Sequence, residues 1–328
     1  MKSSIARNKF KIRFLDAASV DLGDLDLRPI KKLGPYRAIP RPSKSGIPAK
    51  MRDGEVIITN KVVLGEREMK AFPRLRLICV TATGFNNIDI AAARRLGIAV
   101  TNVAGYSTAT VVEHTFMFLL AFAHRLLEHD TAVKVGQWSR SPLFTLLDYP
   151  FNDLAGKTLG IIGYGTIGKN VGTIARAFGM KVLVAQLPGR KYPRDKNRLP
   201  LHRVLRQSDY VTLHTALTPY TKGLMNAVRL SEMKSTAYLL NLARGPVVVE
   251  KDVARALEKN QIAGYATDVT EIEPLSKTHP FLKKSLQKKL LLTPHVAWAS
   301  RESRQRVVGE IAANIAAFRG GRRRNRLD

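Results

Sequence analysis

Gly163-Tyr164-Gly165-Thr166-Ile167-Gly168 is the stretch of sequence that decides the fold. It follows an apolar run at residues 158–162, which predicts a strand, and it opens a segment at residues 166–178 with apolar side chains at helical spacing. In such a strand–turn–helix unit the first glycine permits a tight turn, the second lets the backbone approach a pyrophosphate, and the third lets the helix pack close to the strand. The stretch therefore predicts a dinucleotide site at the N-terminus of the helix. A glycine-rich connection without a ligand is the alternative.

On both sides of this stretch, short apolar runs alternate with segments of helical period along the 328 residues. That alternation predicts an α/β architecture with parallel sheets, and the length favours two domains. We expect two Rossmann-like domains, in which a nucleotide-binding domain of residues 105–293 is inserted into a substrate-binding domain of residues 1–104 and 294–328. Strands are predicted at residues 12–15, 56–59, 75–80, 98–101, 158–162, 182–185, 210–213, 237–241, 262–267 and 290–292.

Three further helices follow from local signals. Asp89 is a predicted N-cap for a helix that ends before Gly97. A long helix is predicted from residue 107 or 108 to about Glu128, and it is apolar on nearly every face, which indicates burial. A last helix at residues 302–318 should complete the N-terminal domain.

The charge balance is strongly basic, with 54 Lys and Arg residues against 26 Asp and Glu residues and a net charge of +28. Such an excess favours anionic partners, including phosphate-bearing cofactors and nucleic acid. The basic residues are spread along the chain and are not interleaved with aromatic residues, so a solvated surface is preferred over a nucleic-acid role. The run at residues 115–123 is too short to span a bilayer, which needs about 20 residues. We expect no membrane partner.

The N-terminal residues and the single cysteine bear on the compartment. Residues 1–13 are basic but lack an apolar core, so no secretory signal is expected, and a disordered tail is favoured over an organelle-targeting segment. Cys79 excludes an internal disulfide and lies in a predicted strand, where it should serve packing. We expect a cytoplasmic location, with an organelle matrix as the alternative.

Arg244, Glu273 and His295 are the candidate chemical groups. Arg244 follows the predicted strand at residues 237–241, where ligands collect in open α/β sheets, and a guanidinium there can hold a carboxylate. The imidazole of His295 is suited to proton transfer near neutral pH, and a nearby carboxylate such as that of Glu273 would stabilise the protonated ring. Taken singly, each has a less specific interpretation as a surface cation, a loop acid or a turn residue.

The residue after the strand at 182–185 bears on the choice of cofactor. Dinucleotide sites of this type have an acid there that binds the ribose hydroxyls, and this chain has Gln186, with Arg190 and Lys191 close behind. Nothing at that position repels a 2′-phosphate, and two cations are near enough to attract one. The sequence therefore favours NADP(H) over NAD(H). The alternative is that Gln186 binds the ribose as a neutral group and the cations serve the surface.

The chain resembles the D-isomer-specific 2-hydroxyacid dehydrogenases, and within them the glycerate dehydrogenase/hydroxypyruvate reductase branch. The resemblance extends over nearly the whole length. It rests on Thr81-Ala-Thr-Gly-Phe-Asn-Asn-Ile-Asp89, Asn102-Val-Ala-Gly-Tyr-Ser107, Val112-Glu-His-Thr115, Leu159-Gly-Ile-Ile-Gly-Tyr-Gly-Thr-Ile-Gly168, Asn241-Leu-Ala-Arg-Gly245, Asp268-Val-Thr-Glu-Ile-Glu-Pro274 and Thr293-Pro-His-Val-Ala-Trp-Ala-Ser300.

This resemblance implies that Arg244 binds the substrate carboxylate and carbonyl, that Glu273 pairs with His295, and that His295 is the acid and base. It implies a cleft between the domains with a hinge near residues 104 and 294, and a homodimer formed through the long helix and the segment to about residue 150. No metal is expected. The substrate-binding residues would be Ala82, Thr83, Gly84, Arg244 and His295. The cofactor-binding residues would be Thr108, Gly163, Tyr164, Gly165, Thr166, Ile167, Gly168, Gln186, Arg190, Lys191, Thr215, Ala216 and Asp268.

The implied activity is hydride transfer between NAD(P)H and a small 2-oxo acid, with hydroxypyruvate or glyoxylate favoured and a phosphorylated 2-oxo acid as an alternative. Some positions depart from the family pattern, among them Gln186, Thr215, Thr270 and Glu271, but none removes a catalytic group. Two other classes remain open on this fold: a dinucleotide-binding, corepressor-like protein and a nucleic-acid-associated protein.

Overall fold

The structure, a computed structural model, describes residues 9–43, 46–192, 195 and 197–328. The chain divides into two compact units, a first unit of residues 1–107 with 298–328 and a second unit of residues 108–297. Each unit contains a parallel β-sheet with helices between its strands, which confirms the predicted α/β architecture. Most of the predicted N-terminal tail lies outside the described residues.

The sheet of the first unit has the strand order β2-β1-β3-β4-β5, and neighbouring strands run parallel. β3 and β4 are buried along their whole length, as expected for strands covered on both faces. The strands are β1 (Ile12–Phe14), β2 (Tyr36–Ala38), β3 (Val56–Thr59), β4 (Leu77–Val80) and β5 (Ala99–Thr101), and the helices are α1 (Arg28–Lys31), α2 (Glu66–Lys70), α3 (Ile90–Arg95) and the C-terminal helix, given last below.

Local signals located most of this unit correctly. Asp89 caps α3 by accepting a hydrogen bond from the N–H of Ala92 at 2.9 Å, and Gly97 follows the helix with φ +68°. Cys79 is fully buried in β4, as predicted. The edge strand β2 was missed because its three residues are largely exposed and form no apolar run.

The sheet of the second unit has the order β12-β11-β10-β9-β6-β7-β8, again with parallel neighbours. The chain passes from β6 to β7 and β8 on one side and then returns to β9 on the other. The carboxyl ends of β6 and β9 therefore flank a topological switch point, where open α/β sheets bind ligands. The strands are β6 (Thr158–Ile162), β7 (Lys181–Ala185), β8 (Arg198–Leu199), β9 (Tyr210–Leu213), β10 (Tyr238–Asn241), β11 (Gly264–Thr267) and β12 (Leu290–Leu292).

The predicted long helix is in fact two helices. α4 (Thr108–Ala123) ends before Arg125, which has φ +50°, and α5 (Leu126–Lys134) leaves at 61° to it. The N–H of Asn152 donates to the carbonyl of Ala123 at 3.0 Å, so a distant segment takes the acceptor that a continuous helix would use. The remaining helices are α6 (Thr166–Ala177), α7 (Leu201–Gln207), α8 (Ala227–Ser231) and α9 (Glu250–Glu258) in the second unit, and α10 (Arg301–Arg319) in the first.

The burial predicted for the long helix was too broad. α4 leaves Met117 45% exposed, so it is not covered on every face. On α6 the buried stripe is Gly168, Val171, Gly172 and Ala175, while Ile174 and Phe178 are 37% and 41% exposed. The stripe follows i, i+3, i+4 and i+7 spacing, and its small residues bring the helix close to the sheet.

α10 packs against α1 and β4 and buries Val307, Val308, Ile311 and Ile315 in the core of the first unit. Among the described residues, no single helix has the length and apolar character needed to cross a membrane. α4 and α5 satisfy that criterion together, across their bend.

Candidate active site

The glycine turn between β6 and α6 depends on two close backbone approaches. Gly163 has φ +98°, and a Cβ added there would lie 2.5 Å from the carbonyl carbon and oxygen of His214. A Cβ at Gly168 would lie 2.1 Å from the carbonyl oxygen of Gly163. Glycine is therefore required at both positions, by conformation at the first and by space at both. The turn therefore packs against the backbone that follows β9, at the switch point.

Gly165 differs from its two neighbours in the motif. It is the N-cap of α6, and among the described residues a Cβ there would meet no atom within 4 Å. The N–H groups of the first helical turn lack partners inside the helix, and the space beside Gly165 is open. A backbone cradle of this kind suits the pyrophosphate of a dinucleotide. The residues present therefore fit the cofactor that the sequence predicts.

The neighbouring predicted cofactor residues lie around this turn. The ring of Tyr164 folds back over Gly172, Thr166 is exposed at the start of α6, and Ile167 packs half-buried against the core. Thr215 follows β9 and is buried, with its backbone nitrogen 2.6 Å from a Cβ added at Gly163. The carbonyl of Ala216 accepts a hydrogen bond from the hydroxyl of Thr221 at 2.7 Å. Thr108 lies apart from the turn in sequence and begins α4.

The residues that follow β7 are partly fixed by β8. The side-chain amide of Gln186 donates to the carbonyl of Arg198 at 3.2 Å, and its backbone N–H donates to the carbonyl of Leu199 at 2.8 Å. Arg190 and Lys191 are exposed. Gly189, with φ +70°, lies against the ring of Tyr220, since a Cβ there would approach the ring to 2.6 Å.

Arg198 is a cation of this region that sequence reasoning missed. Its guanidinium lies 4.4 Å from the ring centroid of Tyr192 and 5.8 Å from that of Tyr164, and its Nε donates to Asp195 at 2.6 Å. The side chain is 12% exposed. Because β8 is two residues long, no periodic signal marked it in the sequence.

Arg244 is presented by a tight turn after β10. The side chain of Asn241 spans this turn: its amide donates to the carbonyl of Arg244 at 3.0 Å, and its oxygen accepts from the N–H of Ala243 at 3.0 Å. The guanidinium of Arg244 donates to the carbonyl of Ala243 at 2.7 Å and is half-buried. The cation is thus held at the carboxyl end of a central strand.

Glu273 and His295 form a hydrogen-bonded pair. Nδ1 of His295 lies 2.6 Å from one carboxylate oxygen of Glu273, and the other oxygen accepts from the N–H of Thr270 at 3.0 Å. An ionised carboxylate only accepts hydrogen bonds, so the hydrogen of this bond belongs to Nδ1. Nε2 then lies on the side of the ring away from Glu273. The side chains of His295 and Glu273 are 26% and 36% exposed.

The backbone of His295 has φ +56°, which is uncommon for a residue with a side chain. Its N–H donates to the carbonyls of Asp268 at 2.8 Å and Thr293 at 3.0 Å. The N–H groups of Val296 and Ala297 donate to the two carboxylate oxygens of Asp268 at 2.8 and 2.9 Å. The buried Asp268 therefore holds the turn that presents His295.

His114 extends this network from α4. The hydroxyl of Thr293 donates to Asp268 at 2.6 Å, so it must accept from Nε2 of His114, which lies 2.9 Å away. Burial lowers the pKa of His114, although the charge of Asp268 opposes the shift. His114 is therefore a neutral donor in a chain that ends at Asp268. Sequence reasoning did not identify this partner of His114, which lies 179 positions away.

The parallel register brings Arg244, Glu273 and His295 to one edge of the sheet. They follow β10, β11 and β12, which are neighbours, and the carboxyl ends of parallel neighbours lie at the same edge. Gly245 fixes the first two loops together, because a Cβ there would lie 2.0 to 2.4 Å from the backbone of Thr270 and Glu271. Sequence reasoning named these groups, and the sheet brings them to a common edge.

Ala82, Thr83 and Gly84 follow β4 in the first unit. The hydroxyl of Thr83 donates to the carbonyl of Val103 at 2.9 Å, and the carbonyl of Thr83 accepts from the side chain of Asn102 at 2.8 Å. The N–H of Val103 donates to the carbonyl of Ala82 at 3.1 Å. The loop is thus fastened to the segment that follows β5.

His214 follows β9, and its backbone lies next to the glycine turn. Burial lowers the pKa of His214 to about 3, and its Nε2 lies 2.9 Å from the hydroxyl of Thr212. The ring is therefore neutral. Across the described ranges, no three His, Cys, Asp or Glu side chains are grouped to hold a metal ion.

Comparison with known proteins identifies the family. The family model described as D-isomer specific 2-hydroxyacid dehydrogenase, NAD binding domain, matches residues 116–297. The glycerate dehydrogenase of Methylorubrum extorquens is 37% identical over 315 residues, which cover 96% of this chain and 98% of that protein. The hydroxypyruvate reductase of Blautia hydrogenotrophica is 35% identical over 318 residues, which cover 95% and 97%.

A solved structure agrees with these relatives. The NADPH-dependent glyoxylate/hydroxypyruvate reductase of Sinorhizobium meliloti, in complex with NADP and malonate, aligns with a TM-score of 0.77 and 26% identity over 95% of this chain and 94% of that one. The sheet order, the glycine turn and the matched domain define a dehydrogenase that uses a nicotinamide dinucleotide. The chain belongs to the D-isomer-specific 2-hydroxyacid dehydrogenase family.

Proposed function

We propose that this enzyme reduces hydroxypyruvate or glyoxylate, with Arg244 as the substrate-binding cation and His295 as the acid and base. The observation that carries the proposal is the 2.6 Å pair of His295 and Glu273, at the sheet edge where Arg244 is also held. The names of the relatives point to the same small 2-oxo acids. The corepressor-like and nucleic-acid-associated alternatives are not favoured by these relatives.

Binding of the substrate begins at Arg244. Its guanidinium can hold the carboxylate of a 2-oxo acid through two parallel hydrogen bonds, and a remaining N–H can polarise the 2-oxo group. The turn spanned by Asn241 limits the motion of this side chain. A carboxylate held in this way orients the carbonyl carbon for reaction.

Proton transfer is assigned to Nε2 of His295. In reduction, Nε2–H donates its proton to the carbonyl oxygen while hydride adds to the carbonyl carbon, and the product is a 2-hydroxy acid. In oxidation, neutral Nε2 takes the hydroxyl proton back. Glu273 keeps a hydrogen on Nδ1 and stabilises the charged ring. A bound nicotinamide supplies or accepts the hydride.

For the cofactor, we favour NADP(H) over NAD(H). The support is the absence of a carboxylate at Gln186 and the exposed cations Arg190 and Lys191. A carboxylate placed at the end of β7 would repel a 2′-phosphate. Gln186→Asp should therefore raise the KM for NADPH at least about tenfold and leave the KM for NADH unchanged or lower, because the new carboxylate can bind the ribose hydroxyls. Equal effects on the two cofactors would contradict this preference.

The second unit is assigned to cofactor binding and the first to the substrate. The predicted bounds of the two domains, and the predicted substrate contacts from the backbone of Ala82, Thr83 and Gly84, stay predictions. The same holds for Asp268 as a nicotinamide contact, for Thr108 as a cofactor residue and for a cytoplasmic location.

A homodimer is proposed on the exposed apolar side chains of α5 and the segment after it. Phe144, Leu147 and Leu143 are 92%, 74% and 63% exposed, and Trp138 and Leu126 are 49% and 58% exposed. Water-exposed apolar groups at this density mark an interface. Light scattering should give the mass of two chains, and the pair of changes Phe144→Asp and Leu147→Asp should give one. A wild-type monomer would contradict the proposal.

The experiment that tests the proposed function is a matrix of initial rates. It crosses NADH and NADPH with hydroxypyruvate, glyoxylate, pyruvate and 3-phosphohydroxypyruvate. Hydroxypyruvate or glyoxylate should give the highest kcat/KM. His295→Asn should abolish turnover while cofactor binding persists, and Arg244→Ala should raise the KM of the oxo acid steeply. Full activity in both variants would overturn the site assignment.

A further inference from the structure

A second hydrogen-bonded pair of titratable side chains, more buried than Glu273 and His295, contacts the loop that carries Glu273. Glu250, the first residue of α9, and His279 are 10% and 15% exposed at their side chains. Nε2 of His279 lies 2.8 Å from one carboxylate oxygen of Glu250. We call this pair the Glu250–His279 strut.

The hydrogen positions within the strut follow from its neighbours. The N–H of Phe281 donates to Nδ1 of His279 at 3.2 Å, so Nδ1 acts as the acceptor and the ring hydrogen lies on Nε2. Nε2–H therefore donates to Glu250. The other carboxylate oxygen of Glu250 accepts from the N–H of Glu271 at 2.8 Å. Each oxygen of the carboxylate thus has a specific donor.

The strut is connected to Glu273 and His295 through the backbone of Glu271 and Thr270. Glu271 is next to Thr270, whose N–H donates to Glu273 at 3.0 Å, and Glu273 in turn holds His295 at 2.6 Å. On its other side the same loop rests on Gly245, the neighbour of Arg244. The loop is therefore held between the strut and the turn that presents Arg244.

We propose that Glu250, oriented by His279, is a positioning residue that sets the distance between Glu273 and His295. The inference rests on the proposed roles of those two residues. It adds to them a pair that contacts neither substrate nor cofactor and acts through the backbone of Glu271. Loss of the carboxylate of Glu250 frees that backbone, Glu273 withdraws from Nδ1 of His295, and the protonated ring loses its stabilising charge.

The variants separate this role from the other roles of the same residues. Glu250→Ala removes both contacts, and Glu250→Gln keeps an oxygen that can accept from Glu271. His279→Asn keeps an acceptor for the N–H of Phe281, because asparagine caps such turns, but it is too short to reach Glu250. Asp252→Asn is the matched control: Asp252 lies in the same first turn of α9 and accepts from the N–H of Ala227 at 3.0 Å, away from the loop.

The expected result is a loss of kcat with the affinity for the cofactor retained. Glu250→Ala should lower kcat for hydroxypyruvate by on the order of 100-fold, the effect of a displacement of about 1 Å at a catalytic group. Glu250→Gln should recover part of this loss, and His279→Asn should fall between the two. The pH at which reduction declines should move lower in Glu250→Ala, because the imidazolium is less stabilised. Asp252→Asn should match wild type in both measurements.

A double variant tests whether the strut acts on His295 through Glu273. In a Glu273→Gln background, Glu250→Ala should cause no further shift in the pH profile, because the strut acts through Glu273. An equal additional shift would overturn the proposal, as would a Glu250→Ala enzyme with wild-type kcat and pH profile.

A readout without turnover distinguishes this proposal from the proposed function. The imidazole signal of His295, identified by its loss in His295→Asn, can be followed by NMR through a pH titration. Its midpoint should move lower in Glu250→Ala and stay in place in Asp252→Asn. If wild type reduces none of the oxo acids but the midpoint moves, the proposed function fails and the strut stands. An unmoved midpoint overturns the strut, whatever the activity.

Discussion

Asp268→Asn probes the turn that presents His295. The carboxylate of Asp268 is 3% exposed, and it accepts the hydroxyl of Thr293 at 2.6 Å and the N–H groups of Val296 and Ala297 at 2.8 and 2.9 Å. An amide offers one acceptor oxygen and one donor group. In Asp268→Asn the new side-chain NH2 therefore faces a backbone N–H that had donated to the carboxylate. If the oxygen stays toward Thr293 and Val296, the N–H of Ala297 is left buried without an acceptor.

The expected losses of stability and of kcat follow from the hydrogen bonds that Asp268→Asn removes. A buried donor without a partner costs about 1–3 kcal/mol, and the displaced amide adds a second such cost, so Asp268→Asn should lower the free energy of unfolding by about 2–5 kcal/mol. The left-handed backbone of His295 has φ +56° and is disfavoured by about 1–2 kcal/mol, so the freed turn relaxes toward an ordinary conformation. A ring displaced by about 1 Å should lower kcat by on the order of 100-fold.

The assay combines thermal melts, steady-state rates and cofactor titration by fluorescence. Asp209→Asn is the control, because Asp209 accepts the N–H of Thr158 at 2.8 Å and pairs with Lys234 at 2.8 Å, at the amino ends of the strands. The Asp209→Asn variant should lose stability and keep the wild-type kcat. If Asp268 acts mainly on the cofactor, its variant should bind cofactor poorly. An Asp268→Asn enzyme with wild-type stability and kcat would refute the reasoning.

Two further predictions follow. Gly163→Ala should abolish cofactor binding in a fluorescence titration and lower the melting temperature, because the position has φ +98° and a Cβ would lie 2.5 Å from the backbone of His214. Gly309→Ala on α10 is the control, since a Cβ there meets no described atom within 4 Å. It should raise the free energy of unfolding by about 0.5–1 kcal/mol. Normal cofactor affinity in Gly163→Ala would contradict the geometry of the turn. His214 should make the folded protein sensitive to acid, because burial lowers its pKa to about 3. Below about pH 6.5 the histidine of the unfolded chain is protonated while the folded ring stays neutral. The free energy of unfolding should therefore fall by about 2 kcal/mol by about pH 4.5. His214→Gln should remove that part of the slope in denaturation curves measured without cofactor, and an unchanged slope would show that other groups cause it.

Prediction from sequence worked best where the signal is local. The bounds predicted for β3, β6 and β9 match the structure, because strands covered on both faces of a parallel sheet read as largely apolar runs. The bounds of the edge strand β12 match as well, since its three leucines form an apolar run. It failed at β2 and β8, short strands that exist through their pairing with β1 and β7. It also failed at Arg125, where the backbone has φ +50° and the carbonyl of Ala123 accepts from the N–H of the distant Asn152.

In the candidate site, the sequence likewise identified some residues, and only the structure connected others to them. Arg244, Glu273 and His295 were identified by motif, and the glycine turn by its spacing. His114 and Thr293 lie within motifs of the resemblance, but no local signal joined them to each other, and none joined Glu250 and His279 to the site. His114 and Thr293 are separated by 179 positions, and Glu250 and His279 by 29.

The amino-acid sequence by itself determined the α/β class, the glycine turn and the identity of the reactive side chains, because strand burial, left-handed backbone and side-chain chemistry are properties of short segments. The folded chain decided which hydrogen bonds hold those side chains in place. A donor and an acceptor recognise each other by distance and direction, and these are set when β10, β11 and β12 align. The tautomers of His114, His279 and His295, and the turn around Asp268, therefore belong to the tertiary structure.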